Sequence, residues 1–119
     1  MVGAVAPAVS DVRLVGEWSA GDTSGVYRVV IVSDPDAGGT SRLFVQWMKT
    51  AEPAPTVDKS VEIAELGQLG VVVFDFTYES DNEGLSLFID AFDPANGSEA
   101  AYELFLKAPD DYLFQPISN

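Results

Sequence analysis

An all-β fold is predicted for this 119-residue chain: one antiparallel domain of about eight strands, a sandwich or small barrel with at most one short helix. Three features predict it. Short runs alternate apolar and polar residues, as half-buried strands do. Clusters of Gly, Pro, Asn and Asp separate those runs at roughly the 8–12-residue spacing of all-β folds. Hydrophobic residues make up 47 %, with seven Phe, four Tyr and two Trp, enough to fill one core and too many for a disordered chain.

The elements follow in order. Residues 1–10, MVGAVAPAVS, have no basic segment and too short an apolar stretch for a secretory signal. They read as a flexible tail before a single domain over 11–119. Strands are expected over 12–19, 26–33, 42–49, 59–66, 70–79, 85–92, 100–107 and 112–117. Between them lie GDTSG (21–25), DPDAGG (34–39), AEPAPT (51–56), ESDNEG (79–84), DPANGS (93–98) and APDD (108–111). Each supplies residues whose dihedral freedom or local hydrogen bonding suits a chain reversal. Two segments are open to helix. Residues 59–66 fit a short one, and Ser98 could cap another running to Lys107, with Pro109 beyond it. Against the second stands the alternation of Tyr102, Leu104 and Leu106 with Glu103, Phe105 and Lys107, which favours a strand.

Several strands are apolar on both faces. Leu43, Val45 and Trp47 oppose Phe44, Gln46 and Met48. Val72, Phe74, Phe76 and Tyr78 oppose Val71, Val73, Asp75, Thr77 and Glu79. Leu85, Leu87, Ile89 and Ala91 oppose Ser86, Phe88, Asp90 and Phe92. A sheet with one solvated face should be polar on that side. A second apolar face implies a subunit or partner interface, a lined cavity, or a further core layer.

Charge is unevenly divided. Residues 60–119 hold twelve carboxylates and one base, Lys107, whereas residues 1–59 hold seven acids and five bases. Most of the net charge of −13 thus belongs to the second half. Such a field attracts basic partners. Without a basic run, direct binding to nucleic acid is disfavoured, and anionic membrane surfaces are disfavoured for the same reason. No apolar run approaches the ~20 residues that span a bilayer.

The chain has neither His nor Cys. It therefore lacks the usual base near neutral pH, the thiolate nucleophile and zinc–sulfur ligands. Asp75 and Asp90 interrupt apolar strands and are the best candidates for a carboxylate pair, but solvated acids on an outward face explain them more simply. No phosphate loop or nucleophile elbow is present. The expectation is a non-enzyme with no cofactor.

Asp34 and Asp36 lie two apart ahead of Gly39 and are weak calcium candidates, since the stretch offers too few of the six to eight oxygens calcium takes. Asn96-Gly97-Ser98 fits a tight turn. Gly16-Glu17-Trp18 resembles the G-x-W signature of lipocalins and related calycin barrels. That resemblance implies a closed barrel with Trp18 at one end, and a small apolar ligand held near Trp18 and Trp47.

The leading expectation is a protein-binding or assembly domain of inhibitor, immunity or accessory type, self-associating and with a basic protein partner. Phe44, Met48, Phe88 and Phe92 are its apolar anchors, and Glu79, Asp81, Glu83, Asp90 and Asp93 its steering charges. The calycin-like ligand binder and a calcium-binding acidic domain are the alternatives.

Overall fold

A computed structural model describes residues 8–34, 38–50 and 54–117. Eight strands form two four-stranded antiparallel sheets, each a meander in chain order. The first sheet comprises β1 (Ala8–Ala20), β2 (Thr23–Asp34), β3 (Thr40–Lys49) and β4 (Thr56–Glu62). After a short helix, α1 (Ala64–Leu69), come β5 (Val72–Asp81), β6 (Gly84–Asp93), β7 (Ser98–Ala108) and β8 (Asp111–Pro116). β1 and β8 lie in different sheets, as do β4 and β5, so the ladder does not close into the barrel that the G-x-W resemblance implies. Gly16 has a local explanation instead. It sits at a register shift in β1 with φ +124°, and a Cβ there would lie 2.4 Å from Ser80 Oγ of β5. Close approach of the two edge strands requires glycine at this point.

The core lies between the sheets, built mainly from their two inner strands. Tyr27, Val29 and Ile31 of β2 and Leu43, Val45 and Trp47 of β3 enter it from one side. Leu85, Leu87 and Ile89 of β6 and Tyr102, Leu104 and Leu106 of β7 enter from the other. These are the residues that alternation assigns to one face, and each buried Val or Leu contributes roughly 1.5–3 kcal/mol.

Three local features differ from the expected pattern. β1 already begins at Ala8, so residues 8–10 belong to a strand, while residues 1–7 lie outside the described residues. β4 stops at Glu62, and Ala64–Leu69, free of β-branched residues, coils instead. Gly70 ends that helix at φ 69°, the left-handed conformation that favours glycine, and Ile63 and Leu66 are both buried by it. A register shift between Val73 and Asp75 turns Phe74 outward, 55 % exposed, rather than onto the face of Phe76. Residues 98–108 form the strand that the alternation of Tyr102, Leu104 and Leu106 favours, not the alternative helix capped by Ser98. Ser98 instead donates from its backbone N–H and its hydroxyl to Asn96 Oδ1, in a turn where Gly97 has φ 71°.

Polar contacts tie the sheets together. Ser41 N–H donates to Val71 O (2.7 Å), and Val73 N–H donates to Ser41 Oγ (2.8 Å). Arg13 donates to Phe76 O, with its guanidinium 4.1 Å from the Phe76 ring centre. Tyr112 Oη donates to Glu65 Oε1 at 2.6 Å, joining β8 to α1. That bond, with lesser help from burial and the charge of Glu65, pushes the Tyr112 phenol from its ordinary 10.0 up to about 12. A raised pKa means that folding favours the protonated form. This contribution is complete below the ordinary value and disappears as pH climbs from there through about 12. In a spectrophotometric alkaline titration Tyr112 is expected to ionise late, and Glu65→Gln should move its transition down. An unchanged curve in that variant would refute the contact.

Candidate functional site

Directly opposed residues in an antiparallel sheet share a face, so register fixes what each outer surface displays. On the second sheet one outward row runs Thr77, Phe88, Glu103, Gln115, and the next runs Glu79, Ser86, Phe105, Leu113. On the other side of Phe88, Asp75 opposes Asp90 and Asp90 opposes Ala101; Phe92 lies beyond, opposite Val72 and Glu99. Rings and carboxylates therefore interleave on this surface. Phe92 is 39 % exposed and Leu113 56 %, while Phe88 and Phe105 are half-buried.

Asp75 and Asp90 stand directly opposite each other, both exposed. Like charges so placed destabilise a sheet, typically by a few tenths to ~1 kcal/mol. Arg13 Nη2 lies 3.5 Å from Asp75 Oδ1 and offsets part of this, but Asp90 makes no salt bridge among the described residues. Asp90→Thr is expected to raise the melting temperature by a few degrees. A lower melting point would mean that this carboxylate has a stabilising contact.

The four proposed anchors do not form one patch. Phe44 and Met48 belong to β3, and Phe88 and Phe92 to β6, so the two pairs face outward on opposite sides of the sandwich. Met48 is only 7 % exposed and offers little contact area. The Arg42 guanidinium lies 5.2 Å from the Phe44 ring centre and is held there by two 2.8 Å bonds to Glu62. This pairing keeps the Glu62 carboxyl below the usual carboxylate range.

The acids also divide. Glu79, Asp81 and Glu83 gather at the β5–β6 turn, Asp90 stands mid-face, and Asp93 begins the turn at the far end of β6. Asp81 Oδ1 accepts from the N–H groups of Glu83 and Gly84, and Asp93 Oδ1 from that of Ala95, so both carboxylates shape their own turns. Asp34 ends β2, and Asp36 lies outside the described residues. Among the described residues no group of three or more acids could hold a metal ion.

A cavity of about 500 Å³ opens at the end of the sandwich where the β1–β2 and β5–β6 turns meet. Trp18, Tyr27 and Trp47 line it, with Lys59 of β4. The rings of Tyr27 and Trp47 meet edge-on, with centres 5.7 Å apart. Trp18 Nε1 donates to Val26 O. Burial, and secondarily the charge of Asp81, pushes the Tyr27 phenol up. Sequence reasoning named both tryptophans but missed Tyr27 and Lys59. Tyr27 looks like any core aromatic, and Lys59 enters the inner face only because β4 pairs it with Trp47.

No family model, curated protein or solved structure matches the chain.

Proposed function

We propose that this chain is a non-catalytic docking protein whose second sheet receives a basic protein segment on its outer face. One observation carries the reading: Phe88, Phe92, Phe105 and Leu113 alternate there with Asp75, Asp90, Glu79 and Glu103, in the half of the chain that holds most of the negative charge. Half-buried rings supply contact area, and acids around them steer a cationic partner. A peptide alternating Lys with Leu is a suitable probe. Phe88→Ala should speed its dissociation roughly tenfold, while Glu79→Gln with Asp90→Asn should slow association and flatten the salt dependence. Association insensitive to salt, or equal binding of an alternating Glu/Leu peptide, would refute the reading.

Self-association belongs to the other outer face. Leu14, 64 % exposed, and half-exposed Val12 lie there on the edge strand β1, Val12 in the row of Val30 and Phe44, while half-exposed Val57 lies on the opposite edge strand β4 beside Met48. Exposed apolar area of this kind favours contact between copies. Leu14→Glu should shift the particle mass in light scattering toward that of a single chain. A wild-type protein that is monomeric at high concentration would remove this half of the proposal.

A further inference from the structure

The open end of the sandwich makes a separate inference possible, independent of the docking face. Tyr27 and Trp47 are 3 % and 4 % exposed, yet neither Tyr27 Oη nor Trp47 Nε1 hydrogen-bonds another described residue. Among the described residues no sealed side-chain polar atom lacks a partner, so both atoms keep contact with solvent, and both residues line the cavity. Water reaches both donors there, and a ligand that displaces it has to replace those hydrogen bonds. The indole N–H can only donate, and so can the Lys59 ammonium. Lys59 is directly opposite Trp47 and therefore projects from the same inner face. A ligand that replaces water beside Trp47 Nε1 and Lys59 therefore has to offer an acceptor.

Glu17, Asp81 and Glu83 and a second ammonium, Lys107, also line the opening. Glu17 pairs with Val26 on the outer face, and Asp81 and Glu83 belong to the β5–β6 turn, where Asp81 Oδ1 accepts two backbone N–H groups. A volume of about 500 Å³ lies within the range of small-molecule sites. We propose that this cavity binds a small carboxylic acid with an aromatic-sized apolar body. The rings of Trp18, Tyr27 and Trp47 flank the body, and Lys59, Trp47 Nε1 and the Tyr27 hydroxyl receive the carboxylate.

Calorimetric titration with naphthylacetate tests this, using naphthylacetamide and naphthylmethylamine as neutral and cationic controls. The acid should bind saturably, and the amide and amine roughly tenfold or more weaker, because charge-assisted bonds supply the difference. Lys59→Gln changes an exposed strand residue and should fold normally while losing that preference. Trp47→Phe keeps a ring, removes the N–H and should weaken the acid selectively. Phe88→Ala and Asp90→Asn, on the outer face, should leave acid binding unchanged, which separates this site from the docking proposal. The inference is overturned if the amine binds as well as the acid, if Lys59→Gln keeps the preference, or if the acid shows no saturable binding.

Discussion

Gly25→Ala is expected to cost the chain its native fold. A Cβ at this position would lie 1.7 Å from Met48 O, 2.8 Å from Met48 C and 3.0 Å from Lys49 Cα. All three are backbone atoms of the paired strand β3, so no rotamer change relieves the clash. Gly25 also opposes Trp18 on its other side, where β1 completes the cavity wall. Pushing β2 and β3 apart would break their ladder next to the Tyr27–Trp47 contact. A loss above about 4 kcal/mol lies at the extreme of single substitutions and exceeds much of a small domain's stability. Gly84, across the cavity, is the companion case, with φ +156° and Leu106 O at 2.2 Å from an added Cβ. Chemical denaturation followed by tryptophan fluorescence reads the effect. A Gly25→Ala protein with a near-normal midpoint would mean that β2 and β3 are not this close.

That dependence on register marks where the sequence stops being readable. Alternation of Leu85, Leu87, Ile89 and Ala91 located β6 and its buried face, because period-two burial leaves a direct trace in residue type. The turns were equally legible, since Asp81, Asp93 and Gly97 have local geometric roles. Strand order left no such trace: nothing in the composition of β4 and β5 says that their ladder is interrupted. For that reason Phe44 and Phe88 looked like members of one patch, and only the division into two sheets separates them. The inward turn of Lys59 and the outward turn of Phe74 have the same origin. Each is set by a pairing or bulge that depends on the neighbouring strand.

The division between inner and outer faces is tested by two adjacent residues of β7. Leu104 is fully buried, opposite Leu87 on one side and Phe114 on the other. Phe105 points the other way, half-buried between Ser86 and Leu113. Leu104→Ala removes packing that both sheets share, and a cavity in a closed core costs roughly 2–5 kcal/mol. Phe105→Ala removes a larger side chain, yet the vacated place fills with water and the cost should be about 1 kcal/mol. The two melting temperatures should therefore fall in the order opposite to side-chain size, with Leu104→Ala lower by ten degrees or more, roughly. If Phe105→Ala cost as much as Leu104→Ala, its ring would be serving the fold of the free chain. The outer face would then have little apolar surface left to offer a partner, and the docking proposal would lose its physical basis.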